Sequence, residues 1–308
     1  MNIPPRLYRG YDGVADIRRT SPEQNYQFWF DKPTIRKTLR QASIDAAKAF
    51  GKKYADKEIV ILYSGGLDSE WVCESFFTAG VKFTPLVINY NGENEHDLVW
   101  ARKYLQQRNL KALEWNFDLR GWYGSEEQFE IAKAGQVAEL AYTGQFKAII
   151  EHNTSDRIFL NGYDEPVIAA DDSHGARQWM LTYNERHYSI HKLTSYYNIP
   201  TQPGGWVDAN VFTGYVCSPM WQWLVANLEH SQIWNSEIMK TKIYQRAFPT
   251  LIPRPKYTGF ESMLDVVIPA TQTWKKRCRE VYGTEWLQDW SRPIKDVWKE
   301  LGVWGEMT

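Results

Sequence analysis

Six residues from Ser64 to Ser69 have the types and order of a phosphate-binding turn. They follow an apolar, β-branched run that ends at Tyr63, and two glycines let the backbone turn tightly before Asp68 opens a helix. Backbone N–H groups then converge at the positive end of the helix dipole, which suits an anionic phosphate chain. The alternative is a plain strand-to-helix turn capped by Ser69, which two adjacent glycines alone would favour. The six residues in this order favour nucleotide binding without the lysine of a Walker loop.

A second group of polar residues follows another predicted strand, in the segment from Asn161 to Pro166. The carboxyl ends of parallel strands meet at one edge of a sheet, so Asp164 and Glu165 are expected beside Asp68. Carboxylates placed there can share Mg²⁺, which neutralises phosphate charge before a nucleophile attacks phosphorus. Which acid of the pair binds the metal stays open, and a solvent-exposed turn is the alternative reading.

The first motif resembles the PP-loop of the ATP pyrophosphatase superfamily, whose members cleave ATP between the α and β phosphates. Further along the chain come Lys242 and Arg246 in a Lys-x-x-x-Arg pattern, then Arg254-Pro255-Lys256 with Gly259-Phe260 nearby. Together these motifs are similar to the synthetase domain of the asparagine synthetase and β-lactam synthetase family. The similarity spans residues from about 57 to 262, at the level of motifs.

This resemblance implies ATP and Mg²⁺ as cofactors and assigns roles to individual residues. Lys256 would stabilise negative charge during amide formation, and Tyr163 would help to deprotonate the attacking amine. Backbone at the end of the second strand, at Ile88 and Asn89, would bind adenine. The ATP phosphates would be held by Ser64, Gly65, Gly66, Leu67, Asp68 and Ser69, and the metal by Asp68 with Asp164 or Glu165.

The front of the chain departs from this family, whose enzymes commonly carry an N-terminal glutaminase with a cysteine nucleophile after the initiator Met. This sequence has Asn2 there, and its first cysteine is Cys73. We therefore expect no glutamine hydrolysis by this chain. The nitrogen would come from free ammonia, from an amine-bearing substrate or from an ammonia-supplying partner.

The surrounding pattern alternates strands and helices, which predicts an α/β fold with a doubly wound parallel sheet of the adenine nucleotide alpha hydrolase type. Residues 1–56 are predicted to form an N-terminal extension, irregular up to residue 32, and a leading helix. Residues 57–166 are predicted to form the nucleotide-binding core, and residues 167–308 a mainly helical substrate-binding region. The pattern predicts core strands over 59–63, 83–90, 112–117 and 157–160. Within the first 166 residues it predicts helices over 34–54, 68–80, 95–107 and 146–153, and one that begins at 126. In the last region it predicts a helix that begins at 219 and helices over 237–248, 262–281 and 294–301. The section over 179–197 is read as either a substrate lid or a hairpin.

Composition limits the other possibilities. The chain has 308 residues and a formal net charge of −1, which lacks the basic excess of nonspecific nucleic-acid binders. Its three cysteines form no Cys-x-x-Cys pair, and no apolar window reaches the length of a membrane span. We expect a cytoplasmic protein with small-molecule carboxylate and amine substrates, no membrane contact and no nucleic-acid partner. Two alternatives remain: adenylation of a nucleic-acid base, and a non-catalytic nucleotide-binding module.

Overall fold

The computed structural model describes residues 8–9, 15–19, 26–30, 36–135, 137, 140–162, 167–171, 178–183, 189–197, 199, 209–227, 236–255, 259–282 and 290–302. The strands in these ranges are β1 (Tyr8–Arg9), β2 (Ala15–Arg19), β3 (Tyr26–Phe30), β4 (Glu58–Leu62), β5 (Thr84–Asn89), β6 (Leu113–Asn116), β7 (Arg157–Leu160), β8 (Val167–Asp171), β9 (Gln178–Tyr183) and β10 (Trp290–Pro293). The helices are α1 (Leu39–Lys53), α2 (Leu67–Thr78), α3 (Glu95–Arg108), α4 (Leu119–Trp122), α5 (Glu126–Ala134), α6 (Ala141–His152), α7 (Ser189–Tyr196), α8 (Ala209–Val216), α9 (Pro219–Ala226), α10 (Ser236–Ala247), α11 (Leu264–Tyr282) and α12 (Ile294–Leu301).

A parallel sheet with the strand order β6-β5-β4-β7 forms the centre of the fold. The chain moves outward from β4 through β5 to β6 and then returns to place β7 on the other side of β4. The strand order therefore reverses between β4 and β7, and ligands of doubly wound sheets bind at the carboxyl ends of the strands at such a point. The predicted α/β class and parallel sheet are confirmed.

Both faces of this sheet are covered, because alternate residues of β4 enter two different hydrophobic cores. Ile59 and Ile61 pack with α1, α2 and α3, and with helices α8, α9, α10 and α12 from the last third of the chain. Val60 and Leu62 pack on the other face with α4, α5, α6, α7 and α11. A strand that is buried on both faces has a continuous apolar sequence, which is why the predicted bounds of β4 differ from the observed ones by only one residue.

The C-terminal region is mainly helical, as predicted, but it also contributes an antiparallel sheet in the order β10-β9-β8. Strands β8 and β9 pair as a hairpin, but β8 lies before the section over 179–197, whose described residues contain most of β9 and the helix α7. Whether that section serves as a substrate lid stays a prediction. Trp179 and Leu181 of β9 are buried, whereas Gln178 is exposed, so β9 alternates. The apolar Met180 between the two buried residues hides this alternation in the sequence.

The prediction of irregular chain up to residue 32 was wrong for part of that segment, because β1, β2 and β3 pair there as an antiparallel sheet. Unlike β4, the middle strand β2 holds no continuous apolar run, because three of its five residues are charged, Asp16, Arg18 and Arg19. Among the helices that the structure describes, none has the length and apolarity needed to cross a bilayer.

Gly214 brings α8 against the backbone of α1, and we predict that Gly214→Ala destabilises the protein. An added Cβ would lie 3.0 Å from Cα and 3.1 Å from N of Leu39, and backbone there cannot move aside as a side chain can. We expect a loss of about 1–3 kcal/mol in the free energy of unfolding, measured by urea denaturation.

Gly144→Ala is the matched control, because this glycine also lies within a helix but faces the flexible end of Leu119, at 3.3 Å. Its helix propensity gain of roughly 0.5–1 kcal/mol should offset any adjustment of that side chain. Equal unfolding free energies for the two variants would contradict the close packing of α8 on α1.

Candidate functional site

The turn between β4 and α2 has a backbone conformation that requires glycine at Gly65. Its φ is +88°, in the left-handed region, and a Cβ there would collide with the carbonyl oxygen of Asp97. The same Cβ would lie 3.2 Å from the backbone N of Ala101, so α3 closes one side of the turn. The turn is therefore held against α3 by direct contact between backbones.

Two serine hydroxyls fix the rest of this turn. Ser69 Oγ accepts from the N–H of Ser64 at 3.3 Å and donates to the carbonyl of Gly66 at 3.0 Å. Ser64 Oγ accepts from the N–H of Gly66 at 3.2 Å. Gly66 is the N-cap of α2 and has no side chain, so it supplies no capping bond to the first turn of the helix. The positive end of α2 therefore lacks the side-chain acceptor that most helices place there.

Asp68, in the first turn of α2, already binds a cation within the protein. Its Oδ1 lies 2.6 Å from Nζ of Lys240, which α10 brings to the site, and both side chains are largely buried. The predicted metal ligand is therefore a carboxylate that faces a positive group at this edge of the sheet. No group of three or more His, Cys, Asp or Glu side chains that could hold a metal ion occurs among the described residues.

The end of β7 reaches the same turn. A Cβ on Gly162 would lie 2.8 Å from Cα and 2.9 Å from N of Ser69, so only glycine allows this approach. Gly162 immediately precedes the predicted site residues Tyr163, Asp164 and Glu165, which lie outside the described residues. The described end of β7 is beside the turn, and the roles of those three residues stay predictions.

The predicted adenine site, at the end of β5, is held by an asparagine that the sequence analysis did not single out. Asn94 donates from Nδ2 to the carbonyl of Ile88 at 2.9 Å and accepts from the N–H of Tyr90 at 2.9 Å. The carbonyl of Asn89 accepts from the N–H of Phe117, also at 2.9 Å. Each carbonyl has a second lone pair, so adenine binding at Ile88 and Asn89 stays a prediction.

A buried ion pair connects the C-terminal region to α2. Arg254 donates from Nη2 to Oε2 of Glu70 at 2.7 Å, and the two side chains are only 4% and 5% exposed. The same oxygen of Glu70 accepts from the hydroxyl of Tyr63 at 2.9 Å, and the guanidinium lies 5.4 Å from the ring centroid of Trp100. The sequence analysis did not identify Glu70. The predicted catalytic lysine, Lys256, lies outside the described residues.

The chain after residue 258 is also held against the core, on the loop that follows β5. The ring of Phe260 stacks on Tyr90 with centroids 6.2 Å apart and an interplanar angle of 12°. Arg120 donates to Glu93 of that loop at 2.8 Å and to Asp265 of α11 at 2.7 Å. Contacts with the core therefore exist on both sides of residues 256–258.

Asp97 is a buried acid at this site that the sequence analysis did not find. Its carbonyl faces Gly65, and its carboxylate would lie 3.6 Å from a Cβ on Gly259. Burial raises the pKa of Asp97 to about 6, although the nearby His96 lowers it in part. An aspartate in the first turn of a helix has no distinctive sequence pattern, so only the fold reveals this environment.

Comparisons with known proteins add little to this geometry. No family model matches the sequence, and no curated protein does so. Among solved structures, NMN synthetase from Francisella tularensis is similar at a TM-score of 0.32 and 14% sequence identity, with an alignment that covers 71% of this chain and 98% of that one. The strand order of the parallel sheet itself defines this chain as an α/β protein with a doubly wound sheet.

We predict that Asp97→Asn stabilises the protein at neutral pH. The pKa of Asp97 is about 6 when folded and about 3.9 when unfolded, so the folded state binds more protons and stability is lost as pH rises from about 4 to about 6. Asn removes this loss, and the expected gain at pH 8 is on the order of 2–3 kcal/mol in urea unfolding. The gain should shrink as the pH falls toward 4.

Asp45→Asn is a control of opposite sign, because the hydrogen bond and charge of Lys37 lower the pKa of Asp45. That substitution should weaken the protein slightly at neutral pH and have less effect at low pH. A gain from Asp97→Asn that does not change between pH 5 and pH 8 would contradict the raised pKa.

Proposed function

We propose that this chain is an ATP-dependent, AMP-forming amide ligase that adenylates a substrate carboxylate and transfers the acyl group to ammonia or an amine. The observation that supports this most is the turn from Ser64 to Ser69 at the strand-order reversal of the parallel sheet. Gly65 packs this turn tightly against α3, and the positive end of α2 lies behind the turn, where a phosphate chain would be favoured. This proposal keeps the resemblance to the PP-loop superfamily and to asparagine synthetase-like enzymes.

Asp68, the one predicted metal ligand that the structure describes, supports the binding of Mg²⁺-ATP at this edge. Mg²⁺ is usually held by one or two carboxylates together with substrate phosphates, so a full protein cage is not required. Asp68 is such a carboxylate and already attracts the ammonium of Lys240 at 2.6 Å. Asp68 with Asp164 or Glu165 would hold the ion, which would neutralise phosphate charge when bound.

In the proposed reaction, the turn orients the triphosphate while the substrate carboxylate attacks the α-phosphorus and pyrophosphate leaves. Ammonia or an amine then attacks the acyl carbon, loses a proton and displaces AMP. Lys256 would stabilise the negative charge that develops in these steps, because an ammonium is a compact cation on a flexible stem. Tyr163 would help to remove the proton from the amine.

The position of Lys256 in the chain supports its role. It follows Arg254 by two residues, and two residues span at most about 7 Å. Arg254 is paired with Glu70 in the first turn of α2, next to the turn that would hold phosphate. Adenylation of a nucleic-acid base and a binding-only module remain the alternatives. The first is less well supported, because the sequence has a net charge of −1 and lacks the excess of basic residues that nucleic-acid binding favours. A cytoplasmic location stays an expectation.

We predict that the purified protein, in the presence of Mg²⁺, converts α-³²P-ATP to AMP and pyrophosphate when one particular pool of carboxylates and amines is supplied. Lys256→Ala should lower kcat by about 10²–10³-fold, the usual effect of removing one group that stabilises transition-state charge. Asp68→Ala should also abolish most AMP formation. Thin-layer separation of AMP from ADP provides the measurement.

Lys276→Ala and Glu130→Ala are the matched controls, since both side chains are exposed on helices α11 and α5. They should keep wild-type turnover. ADP as the labelled product would contradict cleavage between the α and β phosphates. ATP binding without turnover in every pool would instead favour the binding-only alternative.

A further inference from the structure

We propose that Lys240 binds the phosphates of the nucleotide, and that Asp68 holds the ammonium of this lysine at the turn when no nucleotide is bound. This inference rests on the proposed function, because it concerns the nucleotide that the turn after β4 would hold. Lys240 belongs to α10, and its Nζ lies 2.6 Å from Oδ1 of Asp68 in the first turn of α2. The lysine therefore brings a positive charge to the turn from a distant part of the chain.

The packing of α10 on α2 fixes the backbone of this lysine. The ring of Tyr244, one turn further along α10, stacks on Trp71 of α2 with centroids 4.6 Å apart and an interplanar angle of 24°. Both rings are fully buried, and Nζ of Lys240 lies 5.7 Å from the centroid of the Tyr244 ring. The start of the side chain consequently keeps its place beside α2, while the ammonium can move over a short distance on its flexible stem.

The bonding of Asp68 is incomplete. Its Oδ1 is buried but accepts no hydrogen bond from the described part of the chain, so the contact with Lys240 is an ion pair without the angles of a hydrogen bond. Charged pairs this close are strongest when they also form hydrogen bonds, and a buried acceptor without a donor is costly. A metal ion needs only the lone pairs of such an oxygen, and carboxylate oxygens are the ligands that Mg²⁺ prefers.

Lys240 is also the more open of the two cations that the described residues place at the first turn of α2. The side chains of Lys240 and Asp68 are 19% and 23% exposed, whereas those of Arg254 and Glu70 are 4% and 5% exposed. Arg254 is further fixed by its hydrogen bond to Glu70 at 2.7 Å. A ligand at the turn can therefore reach the ammonium of Lys240, but it meets the guanidinium of Arg254 only if that buried bond breaks.

Asp68 cannot pair with Lys240 and hold Mg²⁺ equally well. The carboxylate attracts a divalent ion more strongly than an ammonium, and the two cations repel each other. Lys240 then needs another anion as its partner, and phosphates at the positive end of α2 are the nearest candidates. Because Mg²⁺ neutralises only part of the charge of a triphosphate, the ammonium still gains attraction there. Lys240 would thus pass from carboxylate to phosphate as the nucleotide binds.

A structural role alone explains this pair less well. The helix dipole already stabilises the negative charge of Asp68 in the first turn of α2. A partly exposed ion pair usually contributes little net stability, and this one lacks a hydrogen bond. A binding role accounts for a lysine at this position without requiring that the pair stabilise the fold.

The test measures ligand binding directly, so that it does not depend on turnover. The first probe is α,β-methylene-ATP, titrated by calorimetry in Mg²⁺ and in EDTA. The second is Mn²⁺ without nucleotide, followed by electron paramagnetic resonance. Lys240→Met removes the ammonium but keeps an unbranched side chain. Lys37→Met is the matched control, because it removes an ion pair of similar length, 2.7 Å from Nζ to Oδ2 of Asp45, next to α1.

We expect Lys240→Met to weaken the binding of the ATP analogue by about 10- to 100-fold in both buffers, since a hydrogen bond between charged groups is lost. The same variant should bind Mn²⁺ alone more tightly, by at least about fivefold, because no ammonium competes for Asp68. Asp68→Asn should bind Mn²⁺ more weakly and keep its affinity for the analogue in EDTA. Lys37→Met should keep all three wild-type affinities. Opposite shifts for metal and nucleotide are a result that a merely structural role would not produce.

The outcomes separate this inference from the proposed function. A wild-type protein that binds no ATP analogue overturns both. One that binds the analogue but forms no AMP with any substrate pool overturns the ligase alone, and the affinities of Lys240→Met still decide the inference. Wild-type affinity of that variant for the analogue, or for Mn²⁺ alone, overturns the inference alone. If Lys240→Met fails to fold, Lys240→Gln carries the same test, because its polar end suits a partly exposed position, and unchanged affinities there also overturn the inference.

Discussion

The reversal of strand order between β4 and β7 is the constraint on which the rest of this structure depends. It opens the carboxyl edge of the sheet where the turn after β4 and the end of β7 meet, and it requires the two chain segments to approach closely. Gly162 against Ser69 is the place where that approach leaves no room for a side chain, and on its other side the turn meets α3 just as closely, at Gly65 against Asp97. The glycines at the site are therefore explained by backbone packing as well as by any ligand.

The electrostatics of this edge depends on the last third of the chain. Two carboxylates, Asp68 and Glu70, lie in the first turn of α2, where the helix dipole favours negative charge. Each is paired with a cation from the C-terminal region, Lys240 or Arg254. The positive groups that an anionic ligand would meet therefore belong to segments that are distant from α2 in the sequence. The C-terminal helices complete the edge of the site as well as the hydrophobic core.

Local patterns in the sequence predicted the turn and the strands around it, because a fully buried strand and a glycine-containing helix start leave clear traces within a dozen residues. The parallel sheet followed from alternation of such units. The pairing of Glu70 with Arg254 left no trace, since it joins residues that only the completed fold brings together. Asp97 was missed for a related reason: its surroundings include Gly65 and Gly259, which are distant from it in the sequence.

The placement of the buried pair also bears on the choice between an enzyme and a binding-only module. Either function would need the turn after β4 and α2, and α2 packs on the C-terminal region, where the ring of Trp71 stacks on Tyr244. Replacing a buried ion pair with apolar residues of similar volume is often neutral or stabilising, so we explain the pair of Arg254 and Glu70 by what it holds in place. What it holds is Arg254, a cation from the C-terminal region, against the first turn of α2. We propose the ligase over simple binding because a cation that the fold fixes beside this turn would stabilise charge that moves during a reaction.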